Sequence, residues 1–450
     1  MKFRPTSPIF LLSLLAFLLS GMPKVRWVFG APIYLIDLII LYLIFLTVII
    51  KRPRFVGRAK TLVGVIGAYF FFVLLGELRG AVVYNQLFNS IYMLFRFSLA
   101  LMLPFIVPKI VRTPNDLTAV IKGLCVGLLL SAILAIFYSL PFTRSIASFI
   151  FSIKLINPVE QNAAVLEVSS ALRGQTLIGT STFSSGLMAM LWPLLYMGGT
   201  LFWQSGRWRL WCKIALFLLP LGILATYGRS AWLSVVLVLS SMMLWGSGKA
   251  RLKTLFWVIA FLLLIVQVGM ESDLMMVNRI VKKTQKTFDA PMESDSERER
   301  FLAYVQPFQH VVKYPSFLMA GTGAANRKFG GDAYEEAETA SHAVPGMAYY
   351  AYGVGGALCQ ILLMISAFRL CYRRLIRARR NVPSMVWMWR ALLAALFGVL
   401  PWWLFGHGIV TQPRGAMAFF LLMGIILACE RIYLKMEKVA LWQSRKVVPV

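Results

Sequence analysis

The chain has 450 residues, 59% of them hydrophobic, with a mean hydropathy of +0.73 and a formal net charge of +28. An ordinary soluble domain is excluded, because apolar runs of about 20 residues, the length that crosses a hydrocarbon core, recur from end to end. In a soluble chain such a charge would suggest nucleic acid; here the basic residues gather in the short segments between apolar runs, so nucleic-acid binding is not expected.

Twelve spans are predicted, at residues 9–21, 30–50, 61–78, 91–107, 117–140, 180–203, 214–227, 230–246, 254–270, 346–368, 386–405 and 415–429. The first follows Lys2 and Arg4 but is not followed by a small-x-small cleavage site, so it reads as a retained span. Alternate segments then collect 26 basic residues, among them Lys51, Arg58, Lys109, Arg207, Lys249, Arg369, Arg373, Arg377 and Lys435, against the acidic Asp116, Glu430 and Glu437. The short segments of the other side hold Lys24, Arg26, Arg79, Arg229 and Arg414. Basic residues mark the cytoplasmic side, which sets both termini in the cytoplasm. The asymmetry also favours contact with anionic lipids. Five cysteines, Cys125, Cys212, Cys359, Cys371 and Cys429, fall in spans or at cytoplasmic edges, and their spacing suits neither an external disulfide nor a zinc site.

Three regions result: 1–270 with spans one to nine, an external segment 271–345, and 346–450 with the last three spans and a basic tail. Residues 141–179 also lie outside. The 271–345 segment holds eleven of the 18 acidic residues beside nine basic ones, and a connection of that length is functional or disordered; its varied composition favours function. Within it SDSERERFLAYVQPFQHVVK predicts a helix lying on the membrane. Ser294 and Glu297 make a capping box, Phe301, Leu302, Val305, Phe308 and Val312 recur at helical spacing, and Pro307 introduces a kink. Arg298 falls on the apolar face and Arg300 away from it. The glycine-rich AGTGAANRKFGG, the acidic DAYEEAE and then His342 follow.

Ionisable residues inside the bilayer are few. Lys122 and Arg390 near cytoplasmic ends are expected to snorkel. Asp37, Glu77 and Arg96 lie toward the outer leaflet, where charge is expensive and is paired or functional. Outward-facing cations, Arg79, Arg96, Arg173, Arg229, Arg298 or Arg300, and Arg414, together suggest a phosphate or diphosphate ligand, because a guanidinium fork matches phosphate oxygens. His342 could then take a proton from an incoming hydroxyl. The exposed run Asp332, Glu335, Glu336 and Glu338 reads as a solvated loop, and neither a G-x-S-x-G elbow nor a P-loop occurs. No metal or cofactor is expected.

The order ATYGRSAWLSVV, ERERFLAYVQPFQHVVKYPSFLMAGTG and SHAVPGMAYYAYGVGG, with GTSTFSSGLMAMLWPLL leading into a central span, resembles the O-antigen ligase and O-antigen polymerase superfamily over roughly residues 170–360. The resemblance implies an all-α polytopic fold of about a dozen helices with a GT-C-like core and a large external loop between the ninth and tenth. It implies a metal-independent, inverting transfer of a glycan from undecaprenyl diphosphate to an acceptor at the outer face of a bacterial inner membrane. The family's histidine at the end of the loop maps onto His342 and its outer helix-end arginine onto Arg229. The loop arginine maps onto Arg300 by spacing to the Pro315 and Gly321–Gly323 turn, and onto Arg298 by helical face. Ala343 stands where the family often has asparagine, and Tyr304 replaces an aromatic that is usually tryptophan. Ligase and polymerase differ in acceptor, lipid A core or a second lipid-linked glycan, and the motifs do not separate them. A twelve-helix transporter or flippase is the alternative from another class.

Overall fold

The computed structural model describes residues 7–19, 24–28, 31–48, 58–83, 85, 87–139, 143, 145–146, 181–201, 205–226, 229–245, 256, 259, 309–324, 344–405 and 413–446. Helices dominate them: α1 Pro8–Leu18, α2 Leu35–Val48, α3 Arg58–Val83, α4 Leu87–Ile110, α5 Pro114–Ser139, α6 Ser181–Leu191, α7 Gly206–Ala225, α8 Arg229–Leu244, α9 Val344–Asn381, α10 Val386–Phe405 and α11 Pro413–Lys446. Seven of these, α3, α4, α5, α7, α9, α10 and α11, are long and apolar enough to cross a membrane, and four shorter apolar helices accompany them. The architecture is that of an all-α, polytopic, membrane-embedded protein. Nearly all of the expected span 254–270 and all of 271–308 lie outside the described residues, as do most of 141–179 and all of 325–343.

Local chemistry starts the helices where hydropathy alone is vague. Ser7 accepts the Phe10 N–H at 3.3 Å, with Pro8 at the first helical position of α1. Before α5, the Asp116 carboxylate accepts from Arg112 N and Thr113 N at 2.9 Å each, and the Thr113 hydroxyl accepts from Asp116 N. The second expected span begins later than hydropathy suggests, because Lys24–Val28 (β1) and Ala31–Tyr34 (β2) form an antiparallel ribbon instead of helix. Pro32 suits the strand end of such a ribbon and not a helix interior. The expected span 180–203 is interrupted too: α6 gives way to a 3-10 stretch, Trp192–Met197, at Pro193, which lacks the N–H that an α-ladder requires.

Contacts between helix ends divide the bundle into two ends. At one, the basic end, Arg58 donates to the carbonyl of Arg369, Lys109 to Thr47, Arg379 to Trp245 and Arg431 to Pro108, while Arg374 pairs with Glu430. The opposite end, the loop end, receives residues 309–324. Arg390 is buried rather than snorkelled, with its guanidinium 4.9 Å from the Trp387 ring centroid, and Lys122 lies over Trp208. In the interior, α11 packs along α4 and 89% of its apolar stretch is buried, against 28% for α7. All five cysteines are buried free thiols.

One irregularity governs the loop end. Inside α9, Gly353 has φ 76° and ψ −174°, so the element is two helices joined at a break. The break takes carbonyls near it out of the α-ladder, and the loop supplies their partners: Thr322 N–H donates to Tyr350 O at 2.8 Å and Gly323 N–H to Ala351 O at 2.9 Å. A Cβ on Gly321 would strike the Tyr350 carbonyl, and one on Gly353 would lie 2.6 Å from Phe317 O. Gly353→Ala is therefore expected to lower the unfolding midpoint of the detergent-solubilised protein, since this combination of φ and ψ is essentially confined to glycine and costs an L residue about 1–3 kcal/mol. The comparison is Gly67→Ala, whose added Cβ meets nothing within 4 Å; an unchanged midpoint for Gly353→Ala would show that the break tolerates a side chain.

Candidate functional site

Two polar clusters occupy the loop end. The first is built on the junction between β2 and α2. Asp37, three residues after Tyr34, reaches back so that Oδ2 accepts the Tyr34 N–H at 3.0 Å, the acidic half of a capping box. Its Oδ1 faces Arg96 of α4 at 3.5 Å, and both side chains are buried, at 1% and 4% exposure. The Arg96 guanidinium lies 4.4 Å from the Tyr34 ring centroid and donates Nη1 to the Tyr92 hydroxyl at 3.3 Å. Arg414, at the start of α11, lies over the same Tyr34 ring at 4.9 Å and donates Nη2 to its hydroxyl at 2.8 Å.

Two guanidinium groups thus share one tyrosine and one carboxylate, leaving a net positive charge. A buried cation is tolerated only with such compensation. The Asp37 contact is long for a charge-assisted bond. The cluster therefore carries net positive charge with one donor, Arg96 Nε, unbonded among the described residues.

The second cluster fixes the loop to the membrane helices. Glu77, buried in α3, accepts the Ala324 N–H at 2.8 Å. Half a turn on, Arg79 donates to the Ser316 hydroxyl at 2.8 Å and to the carbonyls of Ser316 and Ala320, with its guanidinium 5.0 Å from the Phe317 ring centroid. These bonds hold a 3-10 turn, Pro315–Leu318, against the end of α3. Beside it, His310 is buried among Tyr314, Phe317, Tyr349 and Tyr350, with Nδ1 2.9 Å from the Tyr349 hydroxyl. The helix expected through residue 313 is helical over 309–313, the part that is described.

Of the residues singled out from the sequence, Arg96 and Arg414 come together on Tyr34. Arg79 lies at the same end and binds the loop stem. Arg229 is the first residue of α8; the far end of that helix, at Trp245, meets Arg379 at the basic end, so Arg229 belongs to the loop end. His342, Arg298, Arg300 and Arg173 lie outside the described residues. Tyr34, Tyr92 and His310 escaped sequence reasoning. The one signal for Tyr34 was its spacing to Asp37; His310 carried none. Among the described residues no group of three His, Cys, Asp or Glu side chains converges. No protein-family model matches the chain, and no curated protein is similar to it.

Two outcomes follow from these contacts. Asp37→Asn keeps the acceptor for the Tyr34 N–H but removes the charge facing Arg96, and should destabilise the protein by about 3–5 kcal/mol, whereas Asp37→Leu with Arg96→Met should recover most of that loss in thermal unfolding. Glu77→Ala removes the acceptor of Ala324 and should expose the stem, residues 316–324, to limited proteolysis on the order of tenfold faster, while Glu77→Gln, which can still accept, stays near wild type.

Proposed function

We propose that this protein is an O-antigen ligase-like glycan transferase of a bacterial inner membrane, moving a saccharide from undecaprenyl diphosphate to an acceptor such as lipid A core. In this reading it has about twelve spans in a GT-C-like arrangement, both termini in the cytoplasm, and the loop end in the periplasm. The observation that carries it is the anchoring of the loop stem: residues 316–324 are bonded to Glu77, Arg79 and the break in α9. The stretch that follows contains His342 and returns at Val344, so its two ends are attached to the end of the bundle that also carries Arg96, Arg414 and the start of α8 at Arg229. The family resemblance in motif order supports the same reading independently.

The chemistry then needs few parts. The lipid diphosphate lies against the arginines, with Arg229 and Arg298 or Arg300 neutralising it as leaving group and the Arg96–Arg414 cluster adding positive potential. His342 removes the proton from the acceptor hydroxyl, the oxygen attacks the anomeric carbon, and the bond to diphosphate breaks with inversion. The charge that develops on the leaving phosphate is met by cations that cannot lose their protons. If the acceptor is a second lipid-linked glycan, the same machinery is a polymerase.

A transporter or flippase remains a second reading, and the observation favouring it is the discontinuous α9, since broken helices build substrate sites in secondary transporters. Profiling surface glycans by gel and mass spectrometry in the native host separates the readings. Deletion should leave bare lipid A core with accumulated lipid-linked polymer for a ligase, or single repeats on the core for a polymerase. An unchanged profile, with counterflow in proteoliposomes, would favour transport. In the purified protein His342→Ala should lower glycan transfer by about 10² to 10⁴; wild-type turnover would remove its role as base.

A further inference from the structure

Among the described residues a second concentration of like charge lies at the basic end, away from the candidate site. Arg58 opens α3 and donates Nη1 to the carbonyl of Arg369 on α9, 3.3 Å away. Arg373 follows one turn along α9 and Arg377 another turn on. Arg58 experiences repulsion from Arg373, Arg369 and Arg377. Arg374, on the adjoining face, is paired with Glu430, and Glu437 acts on Arg374 and Arg377. Arg58, Arg369 and Arg373 have no carboxylate ion pair among the described residues. Like charges held this close repel one another, so an anion between them is stabilised from several sides at once.

The surface next to these cations supplies the rest of a ligand. At about 100° per residue, Leu358, Leu362, Ile365, Arg369 and Arg373 fall on one strip of α9. Leu358, Leu362 and Ile365 are exposed large apolar side chains. The strip is therefore aliphatic toward the middle of the bundle and becomes cationic one turn beyond Ile365. Exposed Tyr372 stands just beyond Arg369 and beside Arg373, at the level of the cations, where amphipathic rings meet the headgroups of a bilayer. The succession of surfaces, aliphatic and then cationic with an aromatic ring among the charges, matches one molecule of phospholipid from chain to headgroup. Arginine is suited to the phosphate, since its fork binds two oxygens and it remains charged at any working pH.

We propose that the α3–α9 surface at the basic end holds one anionic phospholipid, with its acyl chains along Leu358, Leu362 and Ile365 and its phosphate between Arg58, Arg369 and Arg373. This site is separate from the proposed transfer chemistry and does not depend on it. The lipid bridges the first turn of α3 and the last turns of α9, and screens the repulsion between them.

Native mass spectrometry of the full-length protein, titrated with phosphatidylglycerol or phosphatidylcholine, tests this. Wild type should retain one phosphatidylglycerol in preference to phosphatidylcholine. The triple variant Arg58→Gln/Arg369→Gln/Arg373→Gln should hold it on the order of tenfold to a hundredfold more weakly, because each cation near the headgroup contributes comparably. The comparison variant Arg207→Gln/Arg209→Gln/Lys213→Gln, which removes three charges from α7, should keep wild-type retention. Equal loss in both triples would reduce the effect to diffuse attraction, and undiminished retention in the first, or equal retention of phosphatidylcholine, would place the lipid elsewhere. Displacement by millimolar inorganic phosphate alone would make the site one for a free anion and overturn the proposal. Should the triple variant not fold, the single exposed substitution Arg373→Gln is read instead, with several-fold weaker retention expected and none of the loss overturning the assignment.

Discussion

A helix that breaks inside a membrane protein leaves backbone groups that lipid cannot satisfy, and the loop end is organised around that constraint. The break at Gly353 separates two stretches of α9, and the carbonyls of Tyr350 and Ala351 turn to the N–H groups of Thr322 and Gly323. Only a glycine can adopt the required φ without strain, and only a glycine at 321 lets the loop backbone come close enough to make the bonds. Glu77 and Arg79 then hold the same loop segment from α3, Glu77 by accepting an N–H from it and Arg79 by donating to its oxygens. Loop stem and membrane helix are one hydrogen-bonded unit, and neither is complete without the other.

Charge at this end is arranged in the same economical way. Asp37 serves two neighbours at once, the N-terminus of its own helix and the Arg96 guanidinium across the bundle. Tyr34 likewise accepts from Arg414 at its hydroxyl and offers its ring to both arginines. Because one carboxylate faces two guanidinium groups, the cluster remains cationic while its members remain tied to the fold. That combination, positive potential on rigid supports, is what recognition of a lipid diphosphate would require.

Much of this was legible in the sequence, for a physical reason. Apolar runs report directly on bilayer thickness, so eleven of the twelve expected spans have a helix at their position among the described residues, seven of them long and apolar enough to cross a membrane. Asp37, Glu77 and Arg96 stood out because charge in such runs is costly. Other features were hidden. VPGMAYYAYGVGGALCQ reads as uninterrupted apolar helix, and the break at Gly353 depends on a partner some thirty residues upstream. The ribbon before α2 is too short to show a periodicity. Arg79 looked like a ligand for phosphate by residue type, but its hydrogen bonds to Ser316 and Ala320 are tertiary and leave no trace in local pattern. His342, the proposed base, was singled out by its place between the external segment and an apolar span and then by motif order, and it lies outside the described residues.

The position of α11 has a consequence for how the protein is made. It follows every other described helix in the chain, yet it is the most deeply enclosed of the long spans, packed along α4 and meeting α6 and α9. The helices around it leave the ribosome first and must wait in the bilayer with the faces meant for α11 turned to lipid or to temporary neighbours. Gly424 against the backbone of Leu103 shows how closely the late arrival has to fit. The arrival of α11 is therefore an insertion among the helices that precede it rather than an addition to their edge, and a chain interrupted before residue 413 would leave an open interior in place of a shortened protein.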